Sequence, residues 1–369
     1  MERPTFKPPG TPVKELDTPA LVLDLDALDH NLNTVHSFFQ GRTAKLRPHV
    51  KAHHCPTIAR HQLAVEGTMG GICTAKVGQA EVFVQHGFTD VLVANEVVVP
   101  SKINRLCALA REARITVAVD SAENVEDLSQ GAQTQGVTLR VLVDIDCRLH
   151  RCGVEPGAPA LELARRIHRA PGLDLAGIMA YEGCLLHDNP EALAAETREA
   201  MIPVLHTKEL LLRDGLPVET VSVGGTHNYE ILGAMEGVTE VQAGSYALMD
   251  LSYVPYRPQL KPALKVLGTV ISHPEEAIAV VDVGQKAIGA DIELPIVEAV
   301  PGATVSRLSA EHGILNLEGP ARNSLDLGSR VWMVPHYAEV CINLYNYVNA
   351  TRQGRLEAIW EVSARGRFD

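Results

Sequence analysis

Aromatic and basic residues are scarce in this sequence of 369 amino acids. Phe, Trp and Tyr make up only 4% of it, and 33 Lys and Arg against 45 Asp and Glu give a formal net charge of −12. Nucleic-acid binding usually needs a basic face and aromatic rings that stack on bases. We therefore expect no nucleic-acid partner, although a few placed arginines are enough to hold an anionic small molecule.

The sequence also lacks long apolar runs. No stretch of 18 or more apolar residues occurs, and the first ten residues, MERPTFKPPG, lack the apolar segment of a secretory signal. The seven cysteines are an odd number without CxxC pairs, which suits reduced thiols better than a disulfide framework or a zinc knuckle. We therefore expect a cytoplasmic protein that does not bind membranes.

Between about residues 40 and 250, short β-rich apolar runs alternate with segments of helical period. The eight runs are Lys45–Val50, Gly71–Thr74, Val91–Ala94, Ile115–Val119, Leu139–Ile145, Leu175–Ala180, Thr220–Val223 and Glu240–Ala243. Eight parallel strands with crossover helices are the content of a (β/α)8 TIM barrel. An open doubly wound sheet is the alternative, but no GxGxxG follows the first run. We predict an α/β fold built on a barrel.

Beyond about residue 260 the helical period disappears. Short apolar runs are separated there by turn-like segments such as His-Pro, Pro-Gly and Glu-Gly-Pro, which predicts an all-β domain. We expect a barrel over residues 27–255 and a β-domain formed by residues 1–26 and 256–369. Whether the early run Ala20–Asp26 instead joins the barrel stays open.

Lys51 follows the first run, in Arg-Pro-His-Val-Lys. A lysine at the carboxyl end of a barrel strand points into the mouth of the barrel, where burial and nearby cations lower its pKa and make it an imine-forming nucleophile. A surface lysine in a loop is the alternative.

Glycine-rich turns follow the seventh and eighth runs, in Val223-Gly-Gly-Thr and Gly244-Ser-Tyr. The loops after these two strands are the usual phosphate site of a barrel, because glycines let backbone N–H groups approach the anion. Together with a lysine after the first strand, they make pyridoxal phosphate the cofactor to test.

These motifs resemble the D-threonine aldolase and D-serine dehydratase-like family. The resemblance rests on KLRPHVK at 45–51, VLVANE at 91–96, DIDC at 144–147, RCGV at 151–154, SVGGT at 222–226, QAGSYALMD at 242–250, EHG at 311–313 and VSARG at 362–366. It extends from about residue 17 onward and is closest to the 3-hydroxy-D-aspartate aldolases. It implies fold type III, the barrel and β-domain of alanine racemase, and a homodimer.

The resemblance also implies roles for single residues. Lys51 matches the lysine that forms the Schiff base with pyridoxal phosphate, and His187 matches the histidine proposed as the base for the substrate hydroxyl. Arg151 and Tyr181 match residues beside the cofactor ring. The matches to the cofactor's phosphate site are Gly225, Thr226, Gly244, Ser245 and the adjoining Tyr246.

One segment, from Val334 to Asn343, departs from the family pattern. The family usually has Pro-x-His-x-Asp or Pro-x-His-x-Cys followed by an asparagine, and this His with Asp or Cys binds a divalent metal. Here the ligand positions fall on Tyr337 and Glu339, and the histidine, His336, stands one position early. Three alternatives stay open: a metal bound by His336 and Glu339, a metal bound by Tyr337 and Glu339, or no bound metal. Oxygen ligands would favour Mg²⁺ or Mn²⁺.

A second departure is His227-Asn228 after Gly-Gly-Thr, where relatives often have small residues. The extra bulk would narrow the pocket or add a substrate contact, unless both side chains point to solvent.

The function that the resemblance implies is aldol cleavage. A D-3-hydroxy amino acid, of the D-threonine or 3-hydroxy-D-aspartate type, would be split into glycine and an aldehyde. A dehydratase would share every cofactor residue but release a 2-keto acid and ammonia, and a metal-independent racemase would need a second acid–base residue that we do not identify. A catalytically idle pyridoxal phosphate carrier and a barrel enzyme without this cofactor fit the sequence less well.

Overall fold

The computed structural model of the chain describes residues 6–183, 189–290 and 292–369. It divides into two compact units. The first, which we call the barrel unit, comprises Val35–Lys51, Ala59–Gly244 and Gly366–Asp369. The second, which we call the mixed-sheet unit, comprises Met1–Thr34, Ala52–Ile58 and Ser245–Arg365. The domain bounds expected from the sequence, 27–255 and the remainder, stay a proposal.

The strands of the described residues follow in chain order. They are β1 (Ala20–Asp24), β2 (Lys45–Leu46), β3 (Ile72–Thr74), β4 (Asp90–Glu96), β5 (Arg114–Val119), β6 (Leu139–Ile145), β7 (Leu173–Ala180), β8 (Thr220–Val223), β9 (Glu240–Val241), β10 (Leu264–Glu275), β11 (Ile278–Val281), β12 (Ile296–Glu298), β13 (Ala303–Leu308), β14 (Gly313–Leu317), β15 (Arg330–Val334), β16 (Tyr347–Arg352) and β17 (Arg355–Glu361).

The helices connect the barrel strands and add short turns beyond them. They are α1 (Leu25–Phe39), α2 (Pro56–Ala64), α3 (Val77–Gln85), α4 (Pro100–Leu109), α5 (Ala122–Gln135), α6 (Ala158–Arg169), α7 (Pro190–Arg213), α8 (Tyr229–Gly233), α9 (Gln285–Ile288) and α10 (Ala338–Asn343). None of the described helices is long and apolar enough to cross a membrane.

The barrel unit contains one parallel sheet in the order β2-β9-β8-β7-β6-β5-β4-β3. Backbone hydrogen bonds from Met69 to Leu46 (3.1 Å) and from Cys73 to Pro48 (2.8 Å) join its two edges, so the sheet closes. Small and medium side chains from five neighbouring strands fill a common core: Cys73, Leu92, Ala118, Leu142, Ala176 and Met179. The predicted barrel and its eight strands are confirmed.

The mixed-sheet unit is built around a mainly antiparallel sheet in the order β13-β14-β11-β10-β1-β16-β17, with β15 on β10 and β12 on β15. The early strand β1 lies inside this sheet, antiparallel to β10 and parallel to β16, and not in the barrel. Its inward side chains Ala20 and Val22 pack with Leu267 and Leu356, which explains why the run is apolar.

The described cysteines are free thiols. Five of them are buried and Cys152 is exposed, while Cys184 lies outside the described residues. This agrees with the expectation of reduced thiols, and the five buried cysteines pack as small apolar core residues.

Candidate active site

Lys51 lies in a short 3-10 turn, Val50–Ala52, that follows β2, and its side chain is partly buried. Burial raises the pKa of the Cys73 thiol in the barrel core, and the positive charges of Arg47 and Lys51 offset part of that rise. Lys51 is thus partly buried in the turn that follows the first barrel strand. This placement favours the nucleophile interpretation over a surface lysine.

The two glycine loops follow β8 and β9 and are buried. A methyl group on Gly244 would overlap the carbonyl oxygen of His49, so only glycine lets the backbone pass there. A methyl group on Gly225 would instead meet the rings of Tyr181 and His227 at 3.5 Å, an ordinary contact distance. The protein's own packing therefore does not require glycine at 225. The missing side chain instead leaves space for a ligand to approach the backbone closely.

We expect the two glycines to respond differently to alanine. Gly244→Ala should lower the free energy of unfolding by about 1–3 kcal/mol, because the added methyl forces the backbone away from His49. Gly225→Ala should leave it within about 0.5 kcal/mol. Chemical unfolding of both variants measures the difference, and equal losses would show that the two loops are packed alike.

Tyr181 directly follows β7, and its ring lies beside the cation of Arg151, whose Cζ is 5.2 Å from the ring centroid. Gly183 makes room for the ring, because a Cβ there would overlap it. The structure thus brings Arg151, Tyr181 and Gly225 together at the carboxyl ends of the barrel strands, as the resemblance implies. Their roles toward a cofactor stay a proposal.

Three carboxyl groups that our sequence analysis did not single out lie at the ends of neighbouring strands. Glu96 ends β4, Asp120 follows β5, and Asp144 lies near the end of β6. Oxygen atoms of Glu96 and Asp120 and the Cys152 sulfur all lie within 4.8 Å of one another. Burial, and next the charge of Glu96, raise the pKa of Asp144 to about 8. The raised pKa favours the neutral form of the Asp144 carboxyl, which limits the negative charge at this mouth of the barrel.

Asn228 and Glu182 form a buried pair next to the first glycine loop. The Asn228 amide donates a hydrogen bond to Glu182 Oε1 (2.5 Å), and its carbonyl oxygen accepts one from the Gly225 N–H (3.2 Å). Asn228 and Glu182 are 0% exposed, and His227 is 1% exposed. The alternative that His227 and Asn228 point to solvent is therefore excluded, because both residues are buried and Asn228 accepts a hydrogen bond from the loop.

Burial raises the pKa of Glu182 from 4.5 to about 7. In the unfolded chain, the Glu182 carboxyl releases its proton at a lower pH than in the folded protein. Its contribution to the free energy of unfolding is therefore fully present below pH 4.5 and is lost as pH rises through 7. Glu182→Gln should therefore flatten the fall in unfolding free energy between pH 5 and 7, by on the order of 3 kcal/mol.

Chemical unfolding at several pH values measures this slope. Glu126→Gln is the matched control, because the Glu126 side chain is 74% exposed and should leave the slope unchanged. A Glu182→Gln slope equal to that of the wild type would show that this carboxyl is charged in the folded protein.

In the mixed-sheet unit, Glu339 accepts hydrogen bonds through both carboxylate oxygens. Ser245 Oγ donates to Oε1 (2.6 Å) and the Tyr337 hydroxyl donates to Oε2 (3.2 Å). His336 turns to another carboxylate, with Nδ1 3.4 Å from Glu293 Oε2. Of the three predicted metal ligands, the structure thus brings together Tyr337 and Glu339 and pairs His336 elsewhere.

Tyr246, next to Ser245, is fully buried. His187, the predicted base, lies outside the described residues. Both roles stay predictions.

Comparison with known proteins identifies the family. The model "Alanine racemase, N-terminal domain" matches residues 23–252, and "Putative serine dehydratase domain" matches residues 263–351. The chain is 38% identical to a D-threonine aldolase of Arthrobacter sp over 97% of this chain and 95% of that one. It is 35% identical to a 3-hydroxy-D-aspartate aldolase of Paracoccus denitrificans, with the same coverage.

A dehydratase and a solved structure also match. The chain is 31% identical to the D-threo-3-hydroxyaspartate dehydratase of Delftia sp., over 88% of this chain and 91% of that one. The crystal structure of the D-threonine aldolase from Filomicrobium marinum superposes with a TM-score of 0.93 at 38% identity, covering 98% of this chain and all of that one. The chain therefore belongs to the family of the D-threonine and 3-hydroxy-D-aspartate aldolases, lyases with the alanine-racemase-like fold type III of pyridoxal phosphate enzymes.

Proposed function

We propose that this protein is a pyridoxal phosphate-dependent aldolase that cleaves D-3-hydroxy amino acids to glycine and an aldehyde. The observation that carries the proposal is the position of Lys51 in a partly buried turn after the first barrel strand. The family to which the chain belongs supports the same reaction.

The residues around Lys51 fit this cofactor. Bound pyridoxal phosphate draws electrons from Cα, so that the Cα–Cβ bond of the amino acid can break. Lys51 would bind the cofactor through Nζ, and the Arg151 cation would face it beside the Tyr181 ring. Backbone N–H groups that follow Gly225 and Gly244 would bind the phosphate. The Gly225 N–H itself donates to Asn228, and the missing side chain of Gly225 leaves room for the phosphate.

Cleavage also requires a base for the proton of the β-hydroxyl group. By resemblance this base is His187. Its neutral imidazole would accept the proton from the hydroxyl oxygen as the carbonyl of the aldehyde forms. We propose this role for His187 on the resemblance alone.

The residues at the family's metal positions fit a divalent metal poorly. Both oxygens of Glu339 already accept hydrogen bonds, and His336 faces Glu293. A carboxylate oxygen that accepts one hydrogen bond can still bind a metal, but with His336 turned to Glu293 the site offers Mg²⁺ or Mn²⁺ only one carboxylate and one hydroxyl. We therefore derive no step through a metal, and a site at His336, Tyr337 and Glu339 stays a proposal that a chelator tests.

Product identification tests the proposed reaction. Purified protein is incubated with D-threonine, D-3-hydroxyaspartate or D-serine, with and without a chelator. We expect glycine with acetaldehyde from D-threonine, or with glyoxylate from 3-hydroxyaspartate. Release of a 2-keto acid and ammonia without glycine would contradict the aldolase assignment.

Dehydration is the second candidate. It is favoured by the match to the Delftia dehydratase and by the serine dehydratase domain over residues 263–351. The same product assay distinguishes the two reactions. A cytoplasmic location and a homodimer remain proposals from the sequence and the resemblance.

A further inference from the structure

The loop after β8 is closed by the side chain of Asn228, a residue whose position would normally let it cap the following helix. Asn228 stands immediately before the short helix α8, where an asparagine usually accepts a hydrogen bond from the helix backbone. Here its side chain makes no such bond. Its Oδ1 accepts the Gly225 N–H instead, so the four residues from Gly225 to Asn228 are closed into a turn by a side chain.

Glu182 determines which way the Asn228 amide faces. A carboxamide has an acceptor end and a donor end, and Gly225 requires the acceptor while Glu182 Oε1 requires the donor. Both residues are 0% exposed. Only one orientation of the amide satisfies both neighbours, so the pair defines the conformation of the turn.

Burying the Glu182 carboxyl group costs free energy of desolvation, and packing alone does not account for a polar group at this position. Glu182 Oε2 has no hydrogen-bond partner within the described part of the chain, and burying such an atom is unfavourable. Costly buried polar groups next to a cleft often serve its function. Glu182 also directly follows Tyr181, whose Cε2 is 3.5 Å from the place that a Gly225 side chain would take.

We propose that Glu182 and Asn228 are positioning residues that set the glycine loop at 224–228 for the phosphate group of the cofactor. This inference rests on the proposed function, because it assigns that loop to phosphate. It predicts that the pair controls the affinity for the phosphate group and not the affinity for the rest of the cofactor.

The test compares two ligands that differ only in the phosphate. Full-length protein stripped of cofactor is titrated with pyridoxal phosphate and with pyridoxal, and the dissociation constants are measured from the absorption of the bound ligand. Glu182→Ala and Asn228→Ala should weaken pyridoxal phosphate binding by about tenfold or more and pyridoxal binding by less than about twofold. Glu182→Gln should bind both ligands as the wild type does, because its Oε1 can still accept from Asn228.

Asn124→Ala is the matched control. Asn124 is a buried asparagine of α5 whose amide donates to the Val97 carbonyl (2.8 Å), so its loss removes a similar bond without touching the loop. It should leave the ratio of the two dissociation constants unchanged. If an alanine variant does not fold by circular dichroism, Asn228→Ser replaces it, since the shorter side chain cannot bridge Gly225 and Glu182.

The outcomes separate this inference from the proposed function. Equal weakening of both ligands, or no weakening, would overturn the positioning role while leaving the aldolase proposal intact. Competition by inorganic phosphate should likewise weaken in the alanine variants. A wild-type protein that binds neither ligand would overturn both proposals.

Discussion

Lys51→Ala should abolish the visible absorption band of the bound cofactor and lower the rate of aldol cleavage by roughly 10³-fold or more. The reason is chemical, because alanine offers no amine to bind the cofactor covalently and no other group replaces that bond. The fold should persist, since the side chain lies in a turn at the end of β2 and is only partly buried. Absorption spectra and initial rates of purified variants measure both effects.

Lys45→Ala is the control for this experiment. Lys45 lies on β2, the strand that precedes the turn of Lys51, and its amine donates to the Phe39 carbonyl (3.2 Å). The control should keep both the band and the activity. An unchanged absorption band in Lys51→Ala would show that another residue holds the cofactor.

Arg47→Met should destabilise the barrel by about 3–5 kcal/mol. Arg47 is 5% exposed, and its guanidinium donates to Glu240 Oε1 (2.8 Å) and Asp90 Oδ1 (3.0 Å) at the amino-terminal ends of β9 and β4. Glu240 is 0% exposed, so removing Arg47 leaves a carboxylate buried without a counter-ion. Chemical unfolding of the wild type and the variant gives the difference in free energy.

Two further variants test the cause of that loss. Arg47→Met/Glu240→Gln should regain part of the stability, because the buried charge is removed together with its partner. Arg165→Met breaks a two-bond pair with Asp214 at the surface and should lower the melting temperature only slightly. An Arg47→Met protein as stable as Arg165→Met would show that the buried pair contributes little.

The barrel could be predicted from the sequence because its longer strands have mostly apolar, buried centres. β6 and β8 are buried over nearly their whole length and therefore appear as short apolar-rich runs between helical segments. Short strands with alternating exposure, such as β13, carry a weaker signal, and our sequence analysis did not identify β13 as a strand. The position of β1 was left open because an apolar run does not reveal its partner.

The candidate site was only partly predictable. Lys51 and the glycine loops have local signatures, a strand end and a turn. Asn228 was noticed as unusual, but its partner Glu182 is 46 residues away in the sequence and meets it only because β7 and β8 are neighbours. The bonds of Glu339 to Ser245 and Tyr337 could not be foreseen either, since one of them spans 94 positions.

Covalent trapping tests the central claim most directly. Borohydride reduction of the purified holoenzyme, followed by proteolysis and mass spectrometry, shows which side chain carries the cofactor. We expect the mass of the reduced pyridoxyl phosphate group on the peptide that contains Lys51, and on that lysine within it. The same mass on a different lysine, or an unmodified Lys51 after saturation with cofactor, would contradict the account.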